Sequence, residues 1–180
     1  MYKNELLESY RGGVAYRAAG VIPMTARTWT KTVDLNIGQR GASGHPRYDL
    51  LDIVSLRIMK QLTQETMMAA GLAAVVVNQL RPMLPGVISE VVNSQHTAGG
   101  WQWDGLPVAV LSQAGQLPAS SKPTTSVRIL ETEEDLVKCL LDRSGLSCPV
   151  VIKLRVHINA ARLALLNIAS GDMPADEVGQ

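Results

Sequence analysis

Apolar and polar positions follow a helical period over residues 44–62, GHPRYDLLDIVSLRIMKQL. Leu50, Ile53, Val54, Leu56, Ile58 and Leu62 recur at three-and-four spacing and carry Arg57 with them, while Asp52, Ser55 and Lys60 fall elsewhere. That spacing predicts an amphipathic helix. Asp49 stands at its start, where a carboxylate accepts the free N–H groups of the first turn. A basic, aromatic turn precedes it: Gly44, His45, Pro46, Arg47 and Tyr48.

Residues 13–32 carry a second pattern. Val14, Ala15, Ala18 and Ala19 predict a short helix, Gly20 ends it, and Pro23 suits the first turn of the next, where its missing N–H is no loss. The second helix turns Thr25, Arg27, Thr28 and Lys31 outward and Ala26 and Trp29 inward. Residues 1–10 lead in through an amphipathic turn or two carrying Leu6, Leu7 and Tyr10. Residues 34–43, DLNIGQRGAS, form a tightly turning loop in which Gly38 and Gly41 free the backbone, while Gln39, Arg40 and Ser43, with His45, can reach phosphates.

Beyond residue 64 the pattern becomes almost wholly apolar. Thr63 or Thr66 can cap a helix running to about Leu80, ended by Pro82 and Pro85, and residues 86–93 form a second helical piece with Val87, Ile88, Val91 and Val92 on one side. Faces this apolar must be covered, by the rest of the chain or by a second subunit. A Gly/Trp-rich segment follows at 96–105, then a strand over 106–112, a loop over 113–125 and a strand over 126–130. Residues 131–143 read as a helix capped by Thr132, with acids in its first turn and Gly145 as its stop. Alternation of Ile152, Leu154, Val156 and Ile158 with Lys153, Arg155 and His157 predicts a strand over 150–158. Asn159 would then cap a last helix over 160–170.

The expected fold class is therefore α+β. The expected divisions are residues 1–64 as a helix-turn-helix with a wing, 65–95 as an apolar helical connector and possible dimer interface, 96–172 as a small α+β domain, and 173–180 as a tail.

Composition changes this picture in one respect. A net charge of +1 and 46% apolar residues over 180 positions describe an ordinary globular chain. The charge is unevenly spread: residues 11–60 carry Arg11, Arg17, Arg27, Lys31, Arg40, Arg47, Arg57 and Lys60 against Asp34, Asp49 and Asp52. Cys139 and Cys148 have neither metal-ligand nor redox spacing; the first suits an apolar helix and the second a loop. With no signal-peptide pattern and no apolar run of membrane length, a soluble cytoplasmic protein is expected. His45, His96 and His157 are scattered and no nucleophile–base set can be placed, so neither catalysis, a cofactor nor a metal is expected.

Residues 10–64 resemble the winged helix-turn-helix domain of the MerR superfamily. The resemblance rests on Gly20-Val21, on Thr25-Ala26-Arg27-Thr28-Trp29, on Gly44-His45-Pro46-Arg47-Tyr48, and on Asp52-Ile53-Val54-Ser55-Leu56-Arg57. Met24 and Thr30 stand where that family usually has Arg and Glu. The resemblance implies a sequence-specific, double-stranded-DNA-binding transcriptional regulator. Its second helix would enter the major groove with Thr25, Arg27, Thr28 and Lys31, and its wing would grip the flanking backbone or minor groove through Arg40, His45 and Arg47. Tyr48 has two uses open to it, a phosphate contact and the aromatic that pins the wing to the core, and both can hold at once, since a tyrosine can bury its ring and show its hydroxyl.

One such unit makes few contacts, so a homodimer on paired half-sites is expected, with residues 67–92 as its interface. An architectural, recombination or DNA-packaging factor is the alternative. Trp101 and Trp103 leave room for a ligand-sensing C-terminal part as well as for simple burial. Lys153, Arg155 and His157 read as a solvated sheet face ahead of a second nucleic-acid surface.

Overall fold

Short-range chemistry decides the first turns of the chain. The computed structural model describes residues 8–40, 44–98, 107–113, 125–141 and 150–171. A two-residue strand, β1 (Tyr10–Arg11), leads directly into helix α1 (Gly12–Ala19). Tyr10 and Arg11 are thus extended, against the amphipathic turn expected to carry Tyr10, because their backbone pairs with a later strand. Gly20 adopts a left-handed conformation (φ 65°) in which its N–H reaches the Arg17 carbonyl and the Val21 N–H reaches that of Tyr16, both at 2.9 Å. This closure satisfies the last carbonyls of α1 and turns the chain toward α2 (Pro23–Thr32), which Pro23 opens after an extended Ile22.

β2 (Gln39–Arg40) and β3 (Pro46–Tyr48) form an antiparallel pair, and β1 adds to the other edge of β3, giving the order β1-β3-β2. Asp49 then caps α3 (Leu50–Lys60) reciprocally: its side chain accepts from the Asp52 N–H at 2.8 Å while its own N–H donates to the Asp52 carboxylate at 3.1 Å. α1 packs on α2 and α3, and α3 on α4 (Ala70–Leu80). Ala15, Ala18, Ala26, Trp29, Leu50, Ile53, Leu56, Ile58 and Leu62 are buried. Trp29 and Ala26 thus face inward as the spacing of α2 predicts.

Asp52 and Ser55 depart from expectation. Both are fully buried on α3, because Arg81 comes down from the turn after α4 to ion-pair Asp52 at 2.6 Å and donate to Ser55 Oγ at 3.4 Å. Neither Thr63 nor Thr66 caps a helix. α3 runs on through a widened π turn (Gln61–Glu65), and the two hydroxyls donate back to the Met59 and Leu62 carbonyls at 2.8 and 2.6 Å. Pro85 likewise does not end a helix; it sits in the first turn of α5 (Leu84–Ala98), where a proline is tolerated.

The described residues form two units, those within 1–85 and 157–180 and those within 86–156. In the second, β4 (Val108–Gln113) lies between β5 (Thr125–Leu130) and β6 (Val150–Lys153), all antiparallel, with Ala109 opposite Ile129 on one side and Ile152 on the other. α6 (Glu133–Leu141) packs beside β5 and is capped by Thr132, whose hydroxyl accepts from the Asp135 N–H at 3.1 Å. Cys139 on α6 is half-buried.

The strand expected over 150–158 stops at Lys153, and α7 (Leu154–Ser170) starts at once. Leu154, Ile158 and Ala161 are all buried, and their spacing of four and three is helical. The apolar residues that alternate like a strand also fit a helix, and the helix prevails. Asn159 is therefore inside α7 and buried, not a cap. Lys153, Arg155 and His157 share no strand face: Lys153 is exposed, Arg155 is buried and donates to Ser94 Oγ at 3.1 Å, and His157 Nε2 donates to Gln61 Oε1 at 2.7 Å.

The architecture is mixed α+β with two small antiparallel sheets. Among the described residues no single helix is long and apolar enough to cross a membrane. Leu6, Leu7, Gly41, Ser43, Trp101, Trp103, Gly145, Cys148 and the 173–180 tail lie outside the described residues.

Candidate nucleic-acid interface

α2 presents its polar side to solvent. Arg27, Thr28 and Lys31 are exposed, Thr25 is half-buried, and Met24 is 76% exposed. The outward hydroxyls are used locally, Thr28 donating to the Met24 carbonyl and Thr30 to that of Arg27, both at 3.0 Å. What this face shows to solvent is the charge of Arg27 and Lys31 and the apolar tip made by Ile22 and Met24.

The hairpin comes alongside. Arg27 of α2 and His45, Pro46 and Arg47 of the hairpin line one cleft of about 680 Å³, together with Arg11, Gly12 and Gly13 at the start of α1. Among the described residues no carboxylate lines it. Among the described residues Arg47 is held by neutral groups: its Nη2 donates to the Ser9 carbonyl at 2.7 Å and its Nε to Ser9 Oγ at 3.3 Å. Its positive charge is therefore fixed in place without being neutralised. Of the remaining expected contacts, Arg40 lies on β2 beside Pro46 of β3.

Tyr48 takes the second of its two uses. Its ring is buried, meets that of Tyr16 edge-to-face with centroids 5.2 Å apart, and its hydroxyl shares a hydrogen bond with the Tyr16 hydroxyl. Burial, reinforced by that hydrogen bond, pushes the Tyr48 phenol well above its ordinary value. The hydroxyl faces inward and is not part of the exposed set. Gly38 makes this packing possible: it adopts φ 75°, and a Cβ there would lie 2.9 Å from Tyr48 Cε1. The tyrosine pair thus anchors the hairpin to α1, and with it the position of Arg47.

Behind this surface several polar groups of the unit are paired internally, while Arg57 Nε is buried without a hydrogen-bond partner among the described residues. Arg57 Nη1 donates to the Ala18 carbonyl at 3.0 Å, and Asn78 bridges the backbone of Asp34 and Asn36, both at 3.0 Å. Burial raises the Asp52 carboxyl above its ordinary value, against the opposing pull of Arg81. Burial, aided by the Arg57 cation, lowers the His157 imidazole to about 4. Among the described residues no group of three or more His, Cys, Asp or Glu side chains could hold a metal ion.

No protein-family model and no curated protein matches this chain.

Sequence reasoning missed Arg11, Gly12, Gly13 and Ser9 as parts of this surface. One local signal marks them: α1 begins with two glycines, has no acid in its first turn, and its capping position is Arg11, which makes no side-chain cap. Helix starts normally carry the opposite chemistry.

Most of the apolar stretch expected to form a dimer interface is covered within the chain. Ala73, Ala74, Val76, Val77, Leu80, Leu84, Ile88 and Val91 are buried, leaving Met67, Val75 and Met83 exposed.

Proposed function

We propose that the first unit is a winged helix-turn-helix of the kind found in the MerR superfamily, and that the protein is a sequence-specific, double-stranded-DNA-binding transcriptional regulator. One observation carries the reading: Arg27 on the exposed face of α2 and His45 and Arg47 on the hairpin line a single cleft to which the described residues add no carboxylate. A helix that offers Thr25, Arg27, Thr28 and Lys31 has the donors needed for base edges and phosphates in a major groove. A hairpin that offers Arg40, His45 and Arg47 beside it suits the flanking backbone.

Each copy contributes few base contacts, so two copies on paired half-sites make up the functional form. Met67, Val75 and Met83 are what the apolar region leaves available to a partner.

Fluorescence anisotropy of the full-length protein on duplex DNA, repeated over a range of salt concentrations, tests the reading. Binding that weakens steeply and log-linearly with salt is expected. Absence of binding at low salt would remove DNA as the ligand.

A further inference from the structure

Three features at the junction of β1, β3 and α1 are unfavourable as they stand. Arg11 and Arg47 are direct partners across the antiparallel β1–β3 pair, and like charges placed opposite each other destabilise a sheet. Arg11 also occupies the capping position of α1, at the positive end of the helix, where a cation is repelled and its side chain gives the first N–H groups no cap. The helix then opens with Gly12 and Gly13, among the poorest helix formers. All three features border the same cleft, to which α2 adds Arg27.

A bound oxyanion would relieve each of them. It would lie between the guanidiniums of Arg11 and Arg47 and offset their repulsion, accept from the open N–H groups of α1, and come close to a backbone that carries no side chain. Gly13 leaves that approach clear, since a Cβ built there meets no atom within 4 Å. Arg47, already fixed on Ser9, needs no rearrangement to take part.

We infer that the cleft between Arg11, Arg47, Arg27 and the start of α1 is a phosphate-binding site. Resting on the DNA reading proposed above, its ligand is one backbone phosphodiester per half-site. A free phosphorylated molecule has the same chemistry and is the other source. The site adds Arg11, Gly12 and Gly13 to the surface formed by α2 and the hairpin, and ties the first helix to the DNA.

Gly13→Asp separates this role from a structural one. An aspartate in the first turn improves on glycine as a helix former and complements the helix dipole, so thermal stability should rise. The same carboxylate repels a phosphate, so DNA affinity should fall about tenfold or more. Unchanged affinity with raised stability would overturn the site. In a second experiment, the full-length protein and its Arg11→Gln variant are titrated with duplexes carrying single neutral methylphosphonates. A position at which the wild type loses about tenfold and R11Q loses nothing further supports the site. Equal losses for both proteins at every position overturn it and leave DNA binding intact. In the third arm, inorganic pyrophosphate is added to the DNA-free protein while the Gly12 and Gly13 amide resonances are followed. Saturable shifts that R11Q abolishes, in a protein that binds no duplex, would keep the site, assign it a free phosphate, and dismiss the DNA reading.

Discussion

Four arginines of the first unit form two contrasting pairs. Arg57 and Arg81 each turn a guanidinium onto a fixed protein acceptor, the Ala18 carbonyl at 3.0 Å and the Asp52 carboxylate at 2.6 Å. Arg27 and Arg47 face a cleft that no carboxylate lines among the described residues, and the groups seen to hold Arg47 are neutral. The first pair completes the fold, while the second leaves charge over for a ligand. The positive balance of residues 11–60 thus overstates the cations open to a partner. What matters is which of them line an open cleft.

Breaking the internal pair should have the largest effect. Asp52→Ala leaves Arg81 without its carboxylate and removes half of the capping box, so a loss of about 3–5 kcal/mol is expected in urea unfolding. Burial already raises the Asp52 carboxyl, so the ion pair itself adds little net stability. The double change Asp52→Leu with Arg81→Met should therefore recover most of the loss. A double variant as unstable as Asp52→Ala would contradict this.

His157 comes next. Its imidazole titrates near 4 in the folded protein and near 6.5 when unfolded. Above pH 6.5 both forms are neutral and no penalty exists. Between pH 6.5 and 4 the unfolded chain takes up a proton that the folded chain refuses, so stability should fall by about 3 kcal/mol. Unfolding curves for the wild type and His157→Asn over this range would check it, the variant lacking that slope.

The open pair should behave differently. Arg27→Ala should leave stability within about 0.5 kcal/mol and weaken a specific site by about 1–3 kcal/mol, more than random DNA. Equal losses on both would make Arg27 a phosphate contact. The smallest effect belongs to Tyr48→Phe, which should lower stability by about 1 kcal/mol while leaving DNA affinity unchanged. Lost affinity at unchanged stability would put the Tyr48 hydroxyl back among the contacts.

Legibility in the sequence tracked how local each feature is. The Asp49 cap, the Gly20 stop, the Pro23 start and the inward Trp29 depend on neighbours a few residues away, and pattern and capping rules reach them. Tyr48 had two uses because its partner, Tyr16, stands 32 positions earlier. Asp52 read as a solvated position because Arg81 arrives from beyond the next helix. Over 150–158 two periods fit the same apolar residues, and burial of Leu154, Ile158 and Ala161 together selects the helix. The cleft was half legible: Arg27, His45 and Arg47 stood out by type and spacing. Arg11 joins them only through a cross-strand register that no local rule predicts.

Selection of the full-length protein against a random duplex library at physiological salt, with footprinting of the enriched sequences, tests the central claim most directly. The account predicts enriched sites containing two related half-sites about one helical turn or a multiple of it apart, protected together. No enrichment over the input library would contradict it.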